Sequence, residues 1–352
     1  PLEPRRHYIA YTDIGLARSL DGGKTWVWWG AKAAPWRNTC YEIAFDPTVR
    51  GRMWGAFSNT HDIPNGNIIG NYHKDSYPGG VCVSTDFGST WTPCGKGLPA
   101  APCVSVVVDA ASPPERRTHY ASMFNEGVYK SVDGGENWRK ASEGLGHATN
   151  MRTCRMILHA DGSLLVLITA RRDKESRKFL PDGVGLYRST DGAATWRRIN
   201  ESLPLLWPKD FTVDPADSSV IYLGACDAGG RGQAGLYRTT DGGKSWDKLA
   251  TEGSQHFGAT LHPRRAGWIY MTLAENGAGA GLWLSKDNGK SFKPMTGLPF
   301  HNVQRVAFDP KDESIIYVTT FGGSVWRGPV EESGAARRRE NTNDTNAPGR
   351  VW

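Results

Sequence analysis

One octapeptide, met six times, limits what this chain can fold into. It reads Ser19-LDGGKT-Trp26, Ser84-TDFGST-Trp91, Ser131-VDGGEN-Trp138, Ser189-TDGAAT-Trp196, Thr239-TDGGKS-Trp246 and Ser285-KDNGKS-Phe292. A hydroxyl residue opens each copy, Asp stands third, Gly or Ala fifth, and Trp or Phe closes it. The starts lie 46 to 65 residues apart, a spacing that marks a repeat architecture in which one supersecondary unit recurs.

Between the boxes a second pattern recurs. Apolar runs such as IAFDP (43–47), VSVVVDA (104–110), FTVDP (211–215) and VAFDP (306–310) end in a turn. Runs rich in β-branched and aromatic residues follow, as in SVIYLGA (219–225) and SIIYVTT (314–320). A third short run, such as GLYRS or GLWLS, leads into each box, and a fourth, such as WRRIN or WDKLA, leaves it. These are four antiparallel strands of period two, here named a to d. Seven units are counted. The first, from His7 to Gly30, holds b to d; the seventh, from Asn302 to Gly328, holds a to c. Sheets of four strands repeated radially make a β-propeller. The expected fold is therefore all-β, a single seven-bladed propeller over residues 1–330. A polar tail, 331–352, is expected to be disordered or extended. Ring closure requires the termini to complement each other, or residues ahead of Pro1. Because Pro1 is not Met, a removed leader or an excised piece is expected.

Within the box the Asp carboxylate can accept N–H bonds of its own turn, and the small residue two positions on permits positive φ. The closing aromatic is expected to pack between blades. Asp21, Asp86, Asp133, Asp191, Asp241 and Asp287 are thus structural rather than catalytic acids. The octapeptide resembles the Asp-box, or BNR repeat, over residues 7–328. Proteins with that repeat include sialidases, xyloglucan-cleaving endoglucanases, sortilin-type receptors and photosystem assembly factors, so the fold leaves function open.

Composition narrows the classes. No stretch of about 18 apolar residues occurs, so no membrane span is expected. Lys and Arg total 42 against 36 Asp and Glu, a net charge of +6. They are scattered apart from Arg337-Arg338-Arg339, which argues against a nucleic-acid partner. The six cysteines contain no C-x-x-C pair, so neither a zinc nor a redox motif is supported; Cys94 and Cys103 are near enough in sequence to pair. His61, Asp62 and His73 fit no metal-ligand spacing. No metal and no cofactor is expected, and the chain is read as a monomer.

Topology assigns the chemistry to one face. The a–b turns and the boxes are stereotyped and share one side of the disc. The b–c loops vary and share the other, where function on a rigid scaffold usually lies. The loop of unit two (58–80) carries His61, Asp62, His73, Asp75 and Tyr77; that of unit four (170–183) carries Arg171, Arg172, Asp173 and Lys174. The starts of the inner strands aim at the same face and are polar, supplying Glu42, Arg155, Lys209, Asp210, His256, His301 and Arg305. Convergent polar groups in a concavity make a site hypothesis. Within the first b–c loop, Tyr11-Thr12-Asp13-Ile14-Gly15 resembles the Y-x-R-T-D-I-G-G segment opening the xyloglucan endoglucanase propellers. That resemblance implies a catalytic carboxylate at Asp13. Leu16 stands where those enzymes have a second Gly. They also place their cleft between two propellers and take the acid from the second.

Three functions remain open. The first is a glycoside hydrolase acting on a polysaccharide, with Asp13 as base or nucleophile, Asp210, Asp62 or Glu275 as acid, and Trp36, Trp207 or Tyr77 stacking on sugar rings. The second is a uronic-acid polysaccharide lyase using Lys209, Arg305, His256 and His301. The third is a non-catalytic binding or assembly propeller. Sialidase chemistry fits less well, because only Arg155 and Arg305 offer themselves for an arginine triad. A carbohydrate ligand and an extracytoplasmic location, secreted or periplasmic, are expected.

Overall fold

The computed structural model describes residues 3–28, 34–63, 65–72, 76–250, 255–274, 279–331 and 350–351. Blade two is the template: Thr39–Phe45, Met53–Ser58, Gly79–Ser84 and Thr92–Pro93 pair antiparallel in chain order. Blades three to six repeat it, with inner strands Cys103–Val108, Thr153–Leu158, Pro208–Asp214 and His256–Leu261. Blade one has three strands, His7–Tyr11, Gly15–Ser19 and Val27–Trp28. Blade seven contains Val303–Phe308, Ile315–Thr320 and Val325–Pro329. Its fourth strand, absent from the sequence reading, is Arg350–Val351, which runs parallel to Val325–Pro329 with Arg350 opposite Trp326. The end of the expected tail thus occupies a sheet edge that would otherwise present open N–H and C=O groups.

Apolar packing lies between blades rather than within them. Seven clusters fill seven interfaces, which closes the ring. Trp54, Val81, Val106, Met123 and Trp138 join blades two and three; Val128, Leu164, Tyr187 and Trp196 join three and four. The interface of blades seven and one is the thinnest, with only Ile9, Ala17 and Val325 buried among its described residues. There His7 meets Tyr317 edge-on at 6.0 Å, and the Tyr11 hydroxyl lies 3.0 Å from Ser324 Oγ.

All six boxes share one hydrogen-bond pattern. In the first, the Ser19 hydroxyl donates to Asp21 Oδ1 at 2.8 Å and accepts from the Gly23 N–H at 2.8 Å. The Thr25 N–H and hydroxyl donate to the two Asp21 oxygens at 2.9 and 2.6 Å. Two consecutive residues take positive φ at the tip, such as Gly22 and Gly23 at 81° and 88°. Hence the preference for a Gly pair, which that region accepts without steric cost. The closing indole ties blades together: Trp196 Nε1 donates to the Ala141 carbonyl of the preceding blade at 2.8 Å.

Candidate functional site

Each complete inner strand bulges at the same place. The pairing slips between Cys40 and Glu42, Cys103 and Ser105, Thr153 and Arg155, Pro208 and Asp210, His256 and Gly258, and Val303 and Arg305. Bulges re-aim side chains and collect near active sites. Here they set Glu42, Ser105, Arg155, Asp210, Gly258 and Arg305 at equivalent positions around the channel. Four of them form a chain of alternating charge. Glu42 Oε1 meets Arg155 Nη1 at 3.1 Å, Arg155 Nε lies 3.6 Å from Asp210 Oδ1, and Asp210 Oδ2 accepts from Arg305 Nε at 2.7 Å. Ser105 Oγ and the Val106 N–H also donate to Glu42 Oε2. Gly258 is the gap that admits Asp210: a Cβ there would stand 3.3 Å from the Asp210 Cβ. Burial opposes the charge of Arg305, but the Asp210 carboxylate holds its guanidinium above the ordinary value.

Lys209 is the remaining cation. It is buried; its Nζ donates to Asn65 Oδ1 at 2.6 Å and lies 5.0 Å from the Trp207 ring centroid. Among the described residues it has no carboxylate partner. Trp207 itself rests against Phe179 at 5.4 Å. Asn65 belongs to the long loop of blade two, which folds over the channel through a short helix, Gly66–Asn71. Ile63 and Ile68 pack there on Val104 and Phe124, with Tyr72 and Tyr77 stacked alongside. Arg152 Nη1 donates to the Ile69 carbonyl. Neither this cap nor the ring of bulges is visible in a strand-period pattern.

The second cluster lies where the Asp13 loop of blade one meets the His61–Asp62 loop of blade two. Asp13 and Asp62 both adopt positive φ, 77° and 61°, a region that Asp and Asn tolerate better than most residues. His61 Nδ1 lies 3.0 Å from Asp13 Oδ1 and 3.1 Å from Asp62 Oδ2. Sharing one nitrogen keeps those oxygens within roughly 6 Å of each other, close enough for a pair of carboxyls to act on one bond. Asp13 is about half exposed, at 47% of its side chain, and Asp62 less so at 24%.

Asp13 lines a cleft of about 1620 Å³ together with Arg155, Lys209 and Arg305. Exposed Ile14, Phe300 and Phe321 stand on the same walls, as does Trp28, stacked on Tyr11 at 6.2 Å. Sequence reasoning passed over Phe300 and Phe321; their signal was an aromatic in a d–a crossing and in a b–c loop. Of the other candidates, His256 is fully buried in blade six and His301 is exposed on the crossing into blade seven. Glu275, like His73 and Asp75, lies outside the described residues. Trp36 packs against the cluster of Leu16, Phe57 and Trp91, and Tyr77 against that of Phe124, so both serve packing. All six cysteines, Cys94 and Cys103 included, are free thiols.

The family model of sortilin and neurotensin receptor 3 matches residues 184–325. No curated protein sequence matches the chain. Among solved structures, the GH74 xyloglucanase from Xanthomonas campestris superposes with TM-score 0.70 at 16% identity, over 96% of this chain and 52% of its own. A GH74 enzyme from Niastella koreensis gives 0.65 at 16%, over 92% and 50%. YCF48 from Cyanidioschyzon merolae gives 0.59 at 14%, over 90% and 88%. The chain thus spans about half the length of the two GH74 enzymes, and likenesses at such identity establish the propeller fold.

Proposed function

We propose that the chain is a carbohydrate-active propeller that hydrolyses a polysaccharide, with Asp13 as base or nucleophile and Asp62 as its acid partner. The observation that carries this reading is Asp13 on the cleft wall, with His61 Nδ1 within 3.1 Å of both its carboxylate and that of Asp62. Hydrolysis needs one carboxyl to protonate the leaving oxygen and another to activate water or attack the anomeric carbon. Asp13, the more exposed, suits the second role. Phe300, Phe321 and Trp28 offer apolar faces to sugar rings. The likeness to GH74 enzymes lends support, including the xyloglucanase. A polymeric substrate would place the working protein outside the cytoplasm.

A non-catalytic binding propeller is the second reading. It is favoured by the channel, where Glu42 and Asp210 are both committed to guanidinium partners. Uronate elimination would instead rest on Lys209 and Arg305.

The test is incubation with xyloglucan, other neutral glucans and polyuronates, reading reducing ends and the ultraviolet absorbance of unsaturated uronates. Reducing ends from a neutral glucan, lost in Asp13→Asn, support hydrolysis. Unsaturated products would establish the lyase. Retention on a glycan column without turnover would establish the binding reading.

A further inference from the structure

The b–c loop of blade four gathers cations beside the channel and gives them neutral partners. It folds as a hairpin, Arg171–Arg172 against Phe179–Leu180, with Arg172 opposite Phe179. The Arg172 guanidinium carbon lies 5.1 Å from the Phe179 ring centroid, and Arg172 Nε donates to the Arg177 carbonyl at 3.1 Å. Phe179 meets Trp207 at 5.4 Å, and Lys209 Nζ lies 5.0 Å from the Trp207 centroid. Arg172, Phe179, Trp207 and Lys209 thus make a continuous strip of contacts that ends at the cleft wall, to which Lys209 belongs.

Further cations stand behind the strip. Arg152 is buried, gives Nη1 to the Ile69 carbonyl and lies 5.9 Å from the Phe124 ring centroid. Arg177 reaches the helix Gly66–Asn71, where a Cβ on Gly70 would stand 3.3 Å from its Nη1. Among the described residues no ion pair engages Arg152, Arg171, Arg172, Arg177 or Lys209, and the partners named are carbonyls, rings and the Asn65 amide. Asp173 is turned into its own loop, accepting the Ser176 N–H at 2.8 Å. Glu175 and Asp182 are exposed and matched in number by Lys174 and Lys178. The sector is therefore strongly positive. Burial and the charge of Arg171 bring Arg152 down to about 10, still charged at neutral pH. Buried charges are little screened by salt, so their field reaches a ligand on the strip.

We infer that this strip binds the carboxylates of an acidic polysaccharide, one built with uronate units, beside the cleft. The inference rests on the reading of the chain as carbohydrate-active and names the substrate class; it assigns no chemical step to these residues. Guanidinium forks match carboxylates in shape and charge. Two half-buried rings supply apolar contact to sugar C–H groups, with the cations fixing orientation. A ring with its own cation occurs twice in succession, as a polymer with one carboxylate per sugar unit requires. A neutral glucan would leave the like charges without an anion between them.

The probe is hexagalacturonate, titrated calorimetrically into the full chain at low salt, beside its methyl ester and cellohexaose. Saturable binding of the acid is expected, with both neutral ligands weaker by about tenfold or more, as loss of a charge-assisted contact implies. Added salt should weaken the acid's binding. Arg171→Gln combined with Arg172→Gln should weaken it about tenfold, with the melting temperature nearly unchanged, since both side chains are partly exposed. The ester comparison needs no variant. Equal affinity for acid and ester overturns the proposal, as does full binding in the double variant or no binding at millimolar ligand. Polyglutamate separates a sugar from charge alone: binding as tight as that of hexagalacturonate assigns the strip to acidic peptides and overturns it too. Binding is read apart from turnover, on Asp13→Asn as on the wild type. A chain that binds the acid yet releases no reducing ends therefore counts against the hydrolase reading alone.

Discussion

Asp13 of blade one and His61 of blade two meet through a single contact, Oδ1 to Nδ1 at 3.0 Å. The contact joins two loops that the fold brings together and that no local pattern in the sequence connects. The Asp13 turn is also tied to blade two by its N–H, directed to Thr39 Oγ1 at 3.4 Å.

Asp13→Asn is the cleanest variant for the proposed chemistry. Asn accepts positive φ as readily as Asp, so the turn survives while the charge and the proton acceptor go. Turnover of a responsive glycan should fall about 10²–10⁴-fold, with the melting temperature nearly unchanged. A variant that melts normally and turns over normally removes Asp13 from the reaction. Ala is a poorer choice, because it adds backbone strain to the loss.

Arg117 is expected to matter for stability alone. It is buried to 1% and grips Asp46 through Nε and Nη2, both at 3.2 Å, while also donating to the carbonyls of Ala110 and Ser112. Burial alone would raise the Asp46 carboxyl. Bonds from Arg117, the Thr48 and Val49 N–H groups and Arg52 instead hold it well below the usual range. Arg117→Ala leaves a buried carboxylate with one guanidinium fewer and should cost about 3–5 kcal/mol in urea unfolding. Arg117→Lys keeps the charge but loses the planar fork and should fall between.

Much of this was legible because it is periodic. The hydroxyl–Asp–Gly spacing of the boxes specifies a local hydrogen-bond set, and the alternating runs specify strands, so blade number and strand order could be read directly. The candidate site divides. Asp13 was legible through its segment, and Glu42, Arg155, Asp210 and Arg305 as polar starts of inner strands. What they do in the channel was not, because the pairing of Glu42 with Arg155 and of Asp210 with Arg305 crosses the ring. Nor could the helix Gly66–Asn71 be foreseen as a cap: its partner Lys209 lies three blades away. The strand Arg350–Val351 escaped for a related reason, since two residues carry no period.

The boxes should respond to acid in a defined window. The Ser291 hydroxyl and N–H hold the Asp287 carboxyl down at about 2, below the unfolded value of about 3.9. A depressed carboxylate stabilises the fold fully above pH 4, and its contribution is lost as pH falls toward 2. The difference in melting temperature between the wild type and Asp287→Ala should therefore be full at pH 7 and shrink below pH 4. A difference constant from pH 7 to 2 would assign the effect to shape rather than charge. Because the group is exposed, the effect of one box is small, and catalysis should be untouched.

His119 adds a loss of stability on acidification in a higher pH window. Its ring is fully buried between blades two and three, 4.1 Å from the Trp54 ring and 6.3 Å from that of Trp138. Burial is the main cause that brings its pKa down to about 4, and the charges of Arg52 and Arg117 push the same way. The unfolded chain takes up this proton near pH 6.5, while the folded chain refuses it until about pH 4. Below pH 6.5 the unfolded state thus binds more protons, and stability falls as the pH drops. The slope is about 1.4 kcal/mol per pH unit, or roughly 3 kcal/mol across the window. His262, lowered by burial and Arg265, adds to the same slope. Between pH 6.5 and 5 the depressed carboxylates of Asp46 and the boxes do not titrate, so the interval isolates the histidines. Urea unfolding there should lose about one proton of pH dependence in His119→Gln, even if the variant is less stable throughout. In the wild type, the NMR signal of the His119 ring should stay flat to pH 5; a ring that titrates near 6.5 would show that water reaches the interface of blades two and three.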